Sequence, residues 1–165
     1  MKEEYIDLMD EKCNVIGKIN RQKAMENKLL QKGAIVLVFN SKREMLIVQR
    51  AKTKDNFPGY YTFGAGGCAL SGETYEECAK RELEEELGIK NVEIKFLFDN
   101  EYKSNEIKLI QEIYYCIYEG DLILQKEEVE RIFFMSVDKV EEFMKKEKFC
   151  PDLYSIFQKY LEIKK

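Results

Sequence analysis

Histidine is absent from all 165 residues of this chain. That removes the usual side chain for proton transfer near neutral pH and the commonest nitrogen ligand for a metal. Any general base must then be a carboxylate or a metal-bound hydroxide. Disulfide architecture is lacking too. The five cysteines, Cys13, Cys68, Cys78, Cys116 and Cys150, are odd in number, widely spaced and contain no C-x-x-C pair. They fit reduced thiols in a cytosol better than a disulfide framework, and nothing in their spacing favours a zinc site.

Long apolar runs are missing. No stretch approaches the roughly 20 residues of a membrane-spanning helix, and the N-terminal MKEEYIDLMDEK has neither an apolar core segment nor a cleavage-like site. A soluble, cytoplasmic protein is expected, with no membrane partner. An excess of cations is lacking as well: 27 Lys and Arg against 31 Asp and Glu leave a net charge of −4. That balance gives no reason to expect nucleic acid as a partner, and a small anionic substrate would need local basic groups or a metal. With 45% hydrophobic residues and no linker, repeat or low-complexity segment, 1–165 is expected to be a single domain.

What the chain does have is concentrated between Gly67 and Ile89, GCALSGETYEECAKRELEEELGI. Thr74 with Glu77 forms a capping box, and Gly88 suits the left-handed position after a helix, so the pattern predicts a helix of about four turns. Ala79, Leu83 and Leu87 share one stripe that can bury itself against a sheet. Glu82, Glu85 and Glu86, at i, i+3 and i+4, share a different face, expected to lie well away from that stripe. Three like charges on one face repel; a divalent cation reverses that sign, and hard carboxylate oxygens favour Mg²⁺ or Mn²⁺ over Zn²⁺. Glu76, Glu77 and Glu84 are expected to be no more than a solvated face.

Gly67, Glu73, Arg81-Glu82-Leu83, Glu85-Glu86 and Gly88-Ile89 stand at the offsets of G-x5-E-x7-R-E-U-x-E-E-x-G-U, with U aliphatic. The segment, residues 67–89, resembles the signature box of the Nudix hydrolase superfamily at every fixed position. The resemblance implies an α/β/α sandwich with a mixed β-sheet and a metal-dependent hydrolase of diphosphate linkages, typically in nucleoside diphosphate derivatives. It places Glu85 and Glu86 as metal ligands and Glu82 as metal ligand or general base. The Gly66 carbonyl would complete the shell, and Arg81 would belong to the catalytic group, paired with Glu73 to brace the helix against the loop.

Before the box, Glu4 to Met9 and Asn14 to Ile19 alternate apolar and polar residues and predict an N-terminal hairpin over about 4–20, turning at Asp10 to Cys13. A short helix follows over Arg21 to Asn27. Gly33 to Phe39 reads as a buried central strand, and Met45 to Gln49 as its antiparallel partner across the Asn40 to Arg43 turn. Arg50, Lys52 and Lys54 then lead a basic loop towards the glycine-rich segment. They are candidates for binding substrate phosphate, Arg50 foremost. Further strands are predicted at Tyr60 to Phe63, Val92 to Phe98, Lys108 to Tyr118 and Arg131 to Met135, with Glu101 to Asn105 as a connection. Helices at Val137 to Lys146 and Pro151 to Glu162 close the chain.

A metal cluster held by one helix would be open on its far side, so another carboxylate is expected. Glu112 and the Glu127-Glu128 pair compete, with Glu128 favoured. Tyr60, Tyr61 and Tyr102 could stack on a base, although packing roles are commoner for such tyrosines. Outside the box, IDLMDEKCNVIGKINRQKA, GAIVLVFNSKREMLIVQR and KTKDNFPGYYTFGAGG are similar to the isopentenyl-diphosphate isomerase branch of Nudix proteins. Departures are Gln31-Lys32 in place of His-Arg, Tyr61 in place of tryptophan and Cys68 in place of histidine. The isomerase cysteine would fall at Gly66, whereas the hydrolase box is complete, so the hydrolase is expected over the isomerase. A non-catalytic nucleotide-binding domain is the other alternative, and a homodimer is compatible with either.

Overall fold

The computed structural model describes residues 3–164. In chain order the elements are β1 (Tyr5–Met9), β2 (Val15–Asn20), α1 (Arg21–Glu26), β3 (Leu30–Phe39), β4 (Glu44–Arg50), β5 (Tyr61–Phe63) and β6 (Ala65–Cys68). There follow α2 (Tyr75–Leu87), β7 (Lys95–Lys103), β8 (Lys108–Ile117), β9 (Val129–Ser136), α3 (Val137–Lys146) and α4 (Asp152–Lys164). β1 and β2 pair antiparallel as a hairpin in a two-stranded sheet of their own, and the other seven strands make one mixed sheet.

β3 is central. It runs parallel to β8 along its whole length and antiparallel to β6 on its other edge. β4, expected to pair with β3 along their length, meets it at the single rung Phe39 opposite Met45 and pairs instead with β9 and β5. The wedge between β3 and β4 is filled by β5 and β6, which together form one bent strand. The bend is at Gly64, whose φ of +50° is left-handed and whose Cβ, if it had one, would collide with the Val36 carbonyl. The glycine-rich segment before α2 is therefore a strand as far as Cys68.

The sheet is covered on both faces, as the α/β/α reading expects. α2 buries Cys78, Ala79, Leu83 and Leu87 against Ala34, Val36 and Val38 of β3. On the opposite face, α3 and α4 bury Val140, Leu153, Ile156 and Phe157 against Ile35, Leu37 and Ile113. The two core layers use alternate residues of β3, which is why its apolar run is unbroken. β7 starts at Lys95 and continues through Lys103. Glu101 to Lys103, expected as a connection, pair with Ile110 to Lys108. Val92 and Ile94 pack on the α2 layer without joining the sheet. No described helix is long and apolar enough to cross a membrane.

Candidate active site

α2 begins at the capping box, with Glu77 N–H donating to Thr74 Oγ1 and Thr74 N–H donating back to Glu77. It ends at Gly88, where φ is +70°. Those caps fix where the helix begins and ends, and its packing on β6 decides where the glutamates point. Glu82 and Glu86 are 9% and 8% exposed, almost as buried as the apolar stripe. This corrects the expectation that the three carboxylates lie on a face well away from that stripe. Only Glu85 of the three is exposed, and Glu76, Glu77 and Glu84 are solvated as expected.

The glycines make this burial of carboxylate feasible. A Cβ on Gly67 would stand 2.7 Å from Glu82 Cδ, so the absence of a side chain is what admits the carboxylate. Gly66 N–H donates to Glu86 Oε2 at 3.2 Å. Arg81 spans the group: Nε and Nη2 donate to the two oxygens of Glu73 at 2.8 and 3.0 Å, Nη1 donates to Glu82 at 2.7 Å and Glu85 at 3.1 Å, and Nη2 also donates to the Cys68 carbonyl at 3.0 Å. Burial, reinforced by the neighbouring Glu82, pushes the Glu86 carboxyl up to about 8. Burial also raises Glu82, against the lowering effect of Arg81.

These residues face a cavity of about 430 Å³. Arg50, at the end of β4, lines it, and Nε and Nη2 donate to the Asn56 carbonyl at 3.2 and 2.9 Å. Lys54 lines it too and forms an ion pair with Glu128, because Ala51 N–H bonds to the Glu128 carbonyl and ties the two loops together. Lys52 is exposed and does not reach the cavity. Glu112 is also outside: its carboxylate takes the Tyr114 hydroxyl, on the face of β8 that packs towards α2. Tyr61 is 3% exposed among Phe133, Phe143 and Phe149. Neither it nor Tyr60 or Tyr102 lines the cavity, where the aromatic side chain is Phe57.

A family model described as the NUDIX domain matches residues 29–160. The chain belongs to the Nudix family. Among its relatives, an uncharacterised Nudix hydrolase of Pseudomonas aeruginosa is 31% identical over 163 residues, 96% of this chain and 94% of that protein. Another, of Listeria innocua, is 34% identical over 133 residues, 78% of this chain and 76% of that protein. Among solved structures, DR0079 from Deinococcus radiodurans superposes with a TM-score of 0.81 at 22% identity, covering 94% of this chain and 98% of that one. The Nudix domain of Shewanella oneidensis NrtR, solved with ADP ribose, gives 0.62 at 16% identity over 89% of this chain and all of that one. These structural likenesses concern the fold. The chain is a Nudix-type pyrophosphohydrolase.

Among the described residues no three acidic or thiol side chains converge closely enough to hold a metal as they stand. Arg81 occupies the space, bridging Glu82 and Glu85 with one nitrogen. The donor chemistry of the Nudix helix nevertheless fits a hard divalent cation. The donors are all oxygen, and two of the carboxylates are buried and resist ionisation, a cost that a cation relieves.

Four cavity residues had no motif to announce them. Arg21 follows the N-terminal ribbon and pairs with Glu4 at 2.6 Å. Gln31 accepts from the Cys68 thiol at 3.0 Å. Gln111 and Asp152 are bonded to each other at 2.8 Å. The only signal for Gln31 was its departure from the isomerase-like pattern; Asp152 had none.

Proposed function

We infer that this Nudix protein hydrolyses a diphosphate linkage in a nucleoside diphosphate derivative, by attack of water on phosphorus with Mg²⁺ or Mn²⁺ bound at the α2 carboxylates. The observation that carries the inference is the buried pair Glu82 and Glu86, packed on Gly66 and Gly67 at the edge of a cavity that also contains Arg50 and Lys54. A divalent cation held by Glu82, Glu85 and Glu86 would acidify the attacking water and draw charge from the phosphate oxygens. Glu128 is the further carboxylate from outside the helix. Where Glu85 and Glu86 hold the cation without it, Glu82 is the general base that takes the proton from water, with its direction fixed by the bond from Arg81. Arg50 stabilises charge on the departing phosphate, because its hydrogen bonds go to the neutral Asn56 carbonyl and it forms no ion pair among the described residues.

The branch that resembles isopentenyl-diphosphate isomerase supplies a sharper contrast. Gly66 stands where that enzyme's cysteine would fall, and Glu112, where its glutamate would fall, lies outside the cavity. Neither position can exchange a proton with a ligand there. Incubation in H₂¹⁸O with Mg²⁺ or Mn²⁺ and a panel of nucleoside diphosphate derivatives is expected to place ¹⁸O in a phosphate-bearing product. In a parallel incubation of isopentenyl diphosphate in D₂O, deuterium appearing at carbon with the diphosphate intact would assign the isomerase instead. Binding of nucleotides without release of any product would leave a non-catalytic domain.

A further inference from the structure

One wall of the cavity does not involve the α2 carboxylates. The registers place Asn100, Gln111, Gly33 and Cys68 in one row across β7, β8, β3 and β6. The place of a Gly33 side chain is taken by the Gly67 carbonyl, 2.5 Å from where a Cβ would stand, and Gln111 and Cys68 on either side of it line the cavity. Into it face Gln31, from two residues earlier on the same side of β3, and Asp152, from the start of α4.

These polar groups are deeply buried: Gln31 is 3% exposed, Gln111 7% and Asp152 8%. A relay orients them. Ser155 Oγ lies 3.3 Å from Asn100 Oδ1, Asn100 Nδ2 donates to Gln111 Oε1 at 3.0 Å, and Gln111 Nε2 donates to Asp152 Oδ2 at 2.8 Å. One Asp152 oxygen is left with no side-chain donor. Gln31 has its oxygen occupied by the Cys68 thiol, while its Nε2 has no acceptor among the described residues. Flanking them, Ile35, Leu109 and Leu153 are apolar.

Gln31 Nε2 and the second Asp152 oxygen open onto the cavity, and a ligand that displaces water there without pairing them forfeits about 1–3 kcal/mol apiece. An isoprenyl or other alkyl group would leave both unpaired. The edge of a heteroaromatic base, with an N–H beside a ring nitrogen or carbonyl, satisfies both and covers the apolar flanks with its faces. We propose that Gln31, Gln111 and Asp152 form the base-recognition subsite, in which Asp152 accepts an N–H from the nucleobase and the Gln31 amide donates to the adjacent acceptor. The proposal rests on the nucleoside diphosphate hydrolase reading above and adds the residues that select the substrate.

The test compares wild type with Asp152→Asn and Gln31→Met, using nucleoside diphosphate derivatives of the four bases and ribose 5-diphosphate, which keeps sugar and diphosphate but has no base. Each variant is expected to lower kcat/KM for the best nucleoside substrate at least about tenfold, mainly through KM, and to leave ribose 5-diphosphate within about twofold. Asp152→Asn also replaces the free acceptor by a donor, so the order of preference among bases should change. Equal losses on both kinds of substrate, or no loss on either, would overturn the subsite. Gln31→Met decides by the same criteria if Asp152→Asn does not fold. Should wild type hydrolyse nothing in the panel, the hydrolase reading fails separately, and calorimetry with nucleoside monophosphates and ribose 5-phosphate decides the subsite. Wild type must then bind the nucleotide at least about tenfold more tightly than the sugar phosphate, with both variants losing the difference; equal affinity in wild type would refute it.

Discussion

Arg81 grips Glu73 with two parallel hydrogen bonds, Nε to Oε1 at 2.8 Å and Nη2 to Oε2 at 3.0 Å. Glu73 Oε2 in turn accepts from Leu70 N–H at 2.8 Å, so the pair ties α2 to the loop that precedes it. Lysine has the charge without the planar fork and cannot reproduce this geometry. Arg81→Lys is expected to cost about 2 kcal/mol of stability, measured by urea unfolding, and to lower kcat because Glu82 and Glu85 lose their shared donor. A stability within error of wild type would show that the pair does not brace the helix.

The three neighbouring glutamates of α2 separate metal binding from surface charge. Glu85→Gln and Glu86→Gln each remove an anionic oxygen ligand at nearly constant size, and each is expected to lower kcat at least about a hundredfold in a folded protein. Glu84, exposed and paired with Lys90, is the control, and Glu84→Gln should stay within about twofold. Steady-state rates with saturating Mg²⁺, alongside full loss of activity in chelator, check both. A control as damaged as the other two would remove the assignment.

Glu128 and Glu112 are now unequal. Glu128 lines the cavity beside Lys54, whereas Glu112 is engaged with Tyr114 away from it. Glu128→Ala is expected to lower kcat about tenfold or more, and Glu112→Ala to leave it within about twofold. The reverse ranking in the same assay would move the additional carboxylate to β8.

Metal-free protein should lose stability as the medium becomes more alkaline. The Glu86 carboxyl is raised from 4.5 to about 8 in the folded chain, chiefly by burial and then by Glu82. Between those values the native state binds more protons than the unfolded state, so the free energy of unfolding falls as pH rises. Glu82 is shifted in the same direction and adds to the slope. Thermal unfolding midpoints without metal are therefore expected to drop from about pH 5 to about pH 8, and Mn²⁺ or Mg²⁺ to flatten the drop by replacing the proton. Midpoints that rise over this interval in chelator would contradict the burial of these carboxylates.

The sequence by itself determined what depends on neighbours along the chain. Thr74, Glu77 and Gly88 set the limits of α2, because helix caps act through backbone groups within one turn. The unbroken run from Gly33 to Phe39 announced a strand buried on both faces, and the offsets between Gly67 and Ile89 announced the Nudix helix. Tertiary structure decided what depends on pairing across the sheet. The Gly64 bend lets β5 and β6 separate β3 from β4, and no local pattern distinguishes a hairpin paired at one rung from one paired throughout. At 100° per residue Glu86 stands only about 20° from Ala79 of the apolar stripe, and the packing of α2 on Gly66 and Gly67, which lack side chains, is what gives its carboxylate and that of Glu82 room to turn inwards. Parallel pairing of β8 with β3 turned Gln111 into the cavity and Glu112 out of it, a choice made by register and invisible in the sequence of β8 alone.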